Sequence, residues 1–210
     1  MYKNKFKKFG GEWIPDIIQY IKEYIEDRPE ITISVGCDSI QKRRKTVYAM
    51  TIMMYSHDIR NGAHVVFFRE AIPKEKNTFV RLQREAEYAH SIAEYLDDEL
   101  KGFYTRQDLS KVQRQKYKYH ILRCEGQYPN IELHNQEAFV DNLILTSYEA
   151  EQDYKLVDIH LDFNPEPGDG KNRSNPSYLS FAPGLRGMGY RVFAKPLAHA
   201  STSAADLLLK

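Results

Sequence analysis

Three apolar, β-prone runs in quick succession, followed by one long unbroken helical stripe, constrain this chain more than any other feature of its sequence. Residues 31–37 are rich in β-branched side chains and end at Gly36-Cys37-Asp38-Ser39, as expected of a buried strand. A basic turn at residues 41–45 leads into a Val-, Met- and Tyr-rich run over residues 46–55. A turn around Asn61-Gly62 then precedes residues 63–72. Short turns between consecutive strands predict an antiparallel meander. From Asn77 or Thr78 a helix follows, its apolar positions being Phe79, Leu82, Ala86, Ala89, Ala93, Leu96 and Leu100. That spacing of three and four builds a single face, and its alanines permit close approach to a sheet.

The remainder alternates. Residues 14–26 carry a helical stripe at Ile14, Ile17, Ile18, Ile21 and Ile25, ahead of the first strand. Residues 154–163 predict a fourth strand, followed by a Pro- and Gly-containing loop over residues 164–175 and a short helix. A fifth strand at residues 190–194 precedes a small-residue helix that contains Asp206. Three antiparallel strands followed by α/β alternation give an α/β fold. The expectation is a mixed five-stranded sheet, its later strands added in parallel and its faces covered by helices. Residues 1–210 are expected to form one domain, with residues 101–150 as a helical insertion within it.

Hydrophobic residues at 42% allow a core of ordinary size. No eighteen-residue apolar run is present, so no membrane span is expected. Residues 1–11 are basic and lack the apolar stretch of a secretory signal. Cys37 and Cys124 are far apart and outside any CxxC spacing, which argues against a disulfide framework or a zinc site. A reducing cytoplasm is the expected setting. The net charge of +1 conceals segregation. Six acids and no bases fall between Glu85 and Glu99, whereas seven bases and only Asp108 fall between Lys101 and Arg123. A basic surface able to meet a polyanion is therefore expected.

Four carboxylates occupy informative places. Asp38 closes the first strand, Asp162 lies in the fourth within His160-Leu161-Asp162-Phe163-Asn164, and Asp206 lies on the final helix. Glu85 and Glu87 compete for the fourth position. At about 100° per residue, Glu85 falls roughly 65° from the centre of its helix's apolar stripe and Glu87 roughly 135°. Glu85 is the one that can face the sheet. Carboxylate oxygens suit Mg²⁺ and Mn²⁺, and two such ions about 4 Å apart promote phosphodiester cleavage. Gathered without a cation, the same acids would repel and take up protons.

These motifs resemble those of the YkuK-type nucleases of the ribonuclease H-like group. That family has a helix, a strand ending in Gly-x-Asp-Ser (Gly36 to Ser39), a helix bearing Arg-Glu-x-Glu (Arg84 to Glu87) and then His-x-Asp (His160 to Asp162). Its closing Lys-Pro-x-Ala-x-Ala-Ser-x-x-Ala-Asp is matched loosely by residues 195–201 with Ala205 and Asp206. The sequence departs from the pattern at Ile40, which stands between the Asp-Ser pair and Gln41, and in residues 101–150, which exceed the usual length. The resemblance implies a ribonuclease H-like fold and metal-dependent hydrolysis of RNA or DNA. Asp38 and Asp162 would bind or bridge two Mg²⁺ or Mn²⁺ ions, and Glu85 and Asp206 would hold one each.

Each acid also has a plainer explanation. Asp38 can cap a turn with Ser39, Ser203-Ala204-Ala205-Asp206 has the form of a capping box, and Asp162 can begin the loop after it. An acid in an otherwise apolar strand is costly unless paired, which favours a site at Asp162. His199 lies seven residues before Asp206, on the same face if the stretch is α-helical, and is a candidate general acid or aid to product release. His160 serves either core packing or support of the acids. Lys42, Arg43, Arg44, Lys111, Arg114, Lys116 and Lys118 are candidate nucleic-acid contacts, with Tyr104, Tyr117 and Tyr119 able to stack bases. The alternative function is a nucleic-acid-binding or assembly module that keeps the fold without turnover. Two other motifs fail: Pro165 and Asn172 break a phosphate-binding loop at residues 165–172, and Pro167 breaks a calcium loop starting at Asp162.

Overall fold

The sheet is built outward from one central strand whose two sides are served by different connections. The computed structural model describes residues 2–28, 31–55, 63–103, 155–165, 173–195 and 198–209. In chain order these contain β1 (Lys7–Lys8), α1 (Ile17–Ile25), β2 (Thr32–Gln41), β3 (Lys45–Tyr55), β4 (His64–Pro73) and α2 (Thr78–Leu100). Then come β5 (Val157–Leu161), α3 (Asn175–Gly187), β6 (Val192–Phe193) and a terminal helix. That helix is π-helical over Ala200–Ala205 and continues as α4 (Asp206–Leu209). Strand order is β1-β4-β3-β2-β5-β6. The meander β2-β3-β4 is antiparallel, whereas β5 and β6 add in parallel on the other side of β2.

The mixed α/β sheet agrees with the sequence, but it has six strands rather than five. The additional β1 is two lysines pairing with Val66 and Phe67 of β4. It is too short and too charged to show an alternation, so no pattern announces it. Of the expected helical insertion at residues 101–150, residues 101–103 form a turn closing α2 and residues 104–150 lie outside the described residues. Among the described residues no helix is long and apolar enough to cross a membrane.

Helix starts follow their caps. Asp16 Oδ1 accepts from the N–H groups of Ile18 and Gln19 at 3.1 and 3.2 Å, so α1 begins after it. Ile14, expected inside the helix, instead donates its N–H to the Phe6 carbonyl at 2.9 Å. Asn77 caps α2 by accepting from Phe79 N at 2.9 Å. The face of α2 carrying Leu82, Ala86, Ala89, Ala93, Leu96 and Leu100 is buried, whereas Phe79, expected on it in the first turn, is exposed. Asp97, on the same helix, accepts from the N–H groups of Leu156 and Val157 and so fixes the start of β5.

Strand alternation divides the sheet into two unlike faces. Ile33, Val35 and Cys37 of β2 pair across with Met54, Ile52 and Met50, and this face forms the main core with α1 and α2. On the opposite face lie Gly36 and Asp38, in register with Thr51 and Ala49 of β3, and Gly36 also with His160 of β5. The terminal helix covers that second face. A Cβ added at Gly36 would stand 2.5 Å from Ser201 N and 2.6 Å from the Ala200 carbonyl carbon, which only a backbone shift could relieve. Ala200 N donates to His160 Nδ1 at 3.0 Å, and Thr51 Oγ1 donates to the Ala200 carbonyl at 2.7 Å. His160 thus packs and tethers the helix. Gly36→Val is expected to lower the melting temperature by roughly 3–10 °C, because overpacking costs about 1–3 kcal/mol. A thermal melt within a degree of wild type would contradict the close approach.

Candidate functional site

The acids meet where the carboxyl end of β2 passes the end of β5. The register ends at Cys37 opposite Leu161, so Asp38 and Asp162 come at the next position; β5 stops at Leu161, which leaves Asp162 one residue past the strand expected to contain it. Asp38 lies within β2 rather than at its end, since the strand runs on to Gln41. Its Oδ1 accepts from Ser39 N at 2.7 Å. Burial, then the nearby Asp162 and Asp206 charges, push its pKa up to about 6, against the pull of the Ser39 N–H and of Arg81. Asp38, Asp162 and Asp206 therefore form one electrostatic neighbourhood. Asp206 begins α4, and its N–H donates to the Ser203 carbonyl. Ser203 lies inside the helix, not at its start, so the capping-box explanation of Asp206 is excluded.

Glu85 approaches from the other side of the sheet. Ser39 alternates with Asp38 and points towards α2, where its hydroxyl donates to Glu85 Oε1 at 2.5 Å. Arg81, one turn earlier, donates through Nη1 to Ser39 Oγ at 2.7 Å, to the Ser39 carbonyl at 3.0 Å and to Glu85 Oε1 at 3.3 Å. Glu85 is only 2% exposed. Burial, and then Asp38, push its pKa up to about 8, although Ser39 and Arg81 pull the other way. Burial thus favours the protonated carboxyl, while Arg81 at 3.3 Å favours the charged one. Glu87 lies on the solvent side of α2 and accepts from Gln83 Nε2 at 2.8 Å.

Within this cluster two buried carboxylate oxygens, Glu85 Oε2 and Asp162 Oδ1, have no hydrogen-bond partner among the described residues. The other oxygen of Asp162 is 3.0 Å from Lys195 Nζ. Among the described residues no three His, Cys, Asp or Glu side chains are grouped so as to enclose a metal ion as they stand. The alternation of β2 gives the reason: Asp38 faces the terminal helix, whereas Ser39 carries Glu85 on the α2 side. As they stand, the four acids are neighbours in charge, with Glu85 on the α2 side of β2 and Asp38 on the other. His199 flanks the π-helical stretch, whose i→i+5 ladder removes the α-helical periodicity that would align it with Asp206.

A family model described as Ribonuclease H-like matches residues 14–123, just over half of the chain. The chain belongs to the ribonuclease H-like family. No curated protein and no solved structure matches it. The matched span of this ribonuclease H-like chain contains Asp38 and Glu85 and ends before Asp162 and Asp206, which structural proximity joins to it. Sequence reasoning missed the partners Ser39, Arg81 and Lys195. Arg81 was discoverable from its i−4 spacing to Glu85, whereas nothing in the local sequence ties Lys195 to Asp162. Of the expected nucleic-acid contacts, Lys42, Arg43 and Arg44 are exposed in the turn between β2 and β3. Lys111, Arg114, Lys116 and Lys118 lie outside the described residues.

Proposed function

We propose that this chain is a metal-dependent nuclease that hydrolyses phosphodiester bonds of RNA or DNA with two Mg²⁺ or Mn²⁺ ions. The single observation that carries this reading is the Asp38 environment: a carboxylate raised to about 6 by burial and by two further aspartates, in a ribonuclease H-like chain. The donor set fits a hard divalent cation. All four acids offer oxygen, and two of those oxygens are buried without a partner among the described residues. Asp38, Asp162, Asp206 and Glu85 would hold the ions. Bound there, divalent cations supply positive charge to a phosphoryl oxygen and lower the pKa of an attacking water.

The chain's own groups do the rest. Ser39 and Arg81 hold the Glu85 carboxyl against β2, and Lys195 holds Asp162, so these two acids have oriented carboxylates without a cation. A cation held there would compete with any proton on Glu85 and with the Lys195 contact to Asp162. Those same internal cations favour the second reading, a fold kept for binding alone, since Arg81 and Lys195 already partner two of the acids. Labelled single-stranded RNA, DNA and hybrid incubated with Mn²⁺, Mg²⁺ or EDTA decide between them. Cleavage that needs the cation supports the nuclease. Binding with no cleavage under any cation supports the module.

A further inference from the structure

On the far side of the sheet from β5, a cavity of about 590 Å³ lies between the N-terminal segment and β4, lined by Lys5, Lys7, Trp13, Phe67 and Arg69 among others. Its chemistry is unlike that of the acid cluster. Trp13 is 61% exposed, and Phe9, packed on Phe67 at 5.7 Å between ring centroids, is 48% exposed. Lys7 Nζ stands 4.5 Å from the Trp13 ring centroid, and the Arg69 guanidinium 5.7 Å from that of Phe67. The neighbouring Lys3 and Lys8 are neutralised by Asp16 and Glu12, whereas Lys5, Lys7 and Arg69 enter no ion pair among the described residues. The acid bordering the cavity, Glu70, is in register with Tyr48 of β3 and so with Ser39 of β2, which places it on the α2 face of the sheet, opposite to that of Arg69.

We infer that this groove is the track of a single-stranded nucleic acid, whose bases stack on Trp13 and Phe9 and whose phosphates meet Lys5, Lys7 and Arg69. The proposal rests on the nuclease reading for its destination and names the substrate class of that site. Charge selects a polyanion, and exposed rings beside the cations select one with free aromatic faces. Bases stacked within a duplex cannot offer them. The sheet connects the groove to the acids, because Arg69 pairs with Ala49 and Ala49 with Asp38 across adjacent strands. All three therefore lie on one face, Arg69 about 10 Å from Asp38 at two strand spacings. The terminal helix covers Ala49 and Phe67 directly. The open route passes its end along Ala71 and Ile40, both exposed on that face, beside the basic turn of Lys42, Arg43 and Arg44.

The chain's one tryptophan, Trp13, is a built-in probe. Full-length protein in EDTA, which prevents turnover, is titrated with short oligothymidylate, oligouridylate, a duplex of equal length and polyglutamate. Quenching by the single strands with at least about tenfold tighter binding than the duplex is expected. Lys7→Ala combined with Arg69→Ala should weaken binding tenfold or more and lower the salt slope by about 1.4, two contacts at roughly 0.7 each. By anisotropy of a labelled strand, Trp13→Ala should weaken binding about tenfold and Trp13→Phe restore most of it. Equal binding of duplex or polyglutamate, or unchanged affinity in these variants when their melts match wild type, overturns the track. Tight single-strand binding with no cleavage under Mn²⁺ removes the nuclease reading and leaves the track. Cleavage with KM unchanged in the variants removes the track and leaves the nuclease.

Discussion

Asp38→Asn is expected to lower cation-dependent cleavage by about a thousandfold or more, while single-strand binding stays within a few-fold of wild type. Asp38 is the acid that both Asp162 and Asp206 act upon, and it also raises Glu85. It therefore sits at the centre of the cluster, and its charge is the one a cation between these groups would depend on most. Loss of several kcal/mol of charge stabilisation corresponds to about 10³ in rate near 4 kcal/mol. The amide keeps the shape and retains an oxygen to accept from Ser39 N, so the strand is left intact. It also removes a like charge from the cluster, so the metal-free melting temperature should hold or rise. Single-turnover cleavage with Mn²⁺, set beside a melt in EDTA, checks both parts. Activity within tenfold of wild type would remove Asp38 from the centre of the site.

Much of the architecture is legible because periods are read before contacts. The meander β2-β3-β4 and the stripe of α2 follow from alternation and from three-four spacing, and both are borne out by the sheet order and by the buried face of α2. The same helical arithmetic turned Glu85 towards the sheet and Glu87 towards water, and their burial differs accordingly. What escaped was length and side. Reading the first strand as ending at Cys37 hid that Asp38 and Ser39 continue the pleat and point to opposite faces. That one alternation separates Glu85 from the three aspartates. The π-helical stretch is equally silent in the sequence: Gly36 lets its backbone close on the sheet, and contacts from β2, β3 and β5, not local propensity, hold it there.

In the absence of metal, stability is expected to fall as pH rises from about 5 to about 8.5, and Glu85→Gln should flatten much of that fall. The sign follows from the direction of the shifts. Glu85 and Asp38 titrate near 8 and 6 in the folded chain, above the ordinary 4.5 and 3.8. A group raised on folding contributes stability that is complete below its unfolded pKa and is lost as pH climbs through its folded pKa. The window thus runs from just above the unfolded values to just above the folded ones, about 5 to about 8.5. Glu85 is almost fully buried, so solvent screens little of the penalty, and a loss of a few kcal/mol shifts the melting temperature by roughly 5–10 °C. Glutamine preserves the acceptor for Ser39 and carries no titrating proton, so above pH 8 the variant should melt higher than wild type in EDTA. Millimolar Mn²⁺ should reverse the order, since a cation that replaces the proton stabilises only the charged side chain. Melts of both proteins across this range, with and without Mn²⁺, give four curves whose crossing is the signature. Parallel curves in EDTA would show that Glu85 is charged in the fold and held by Arg81, and would leave the cation no proton to displace.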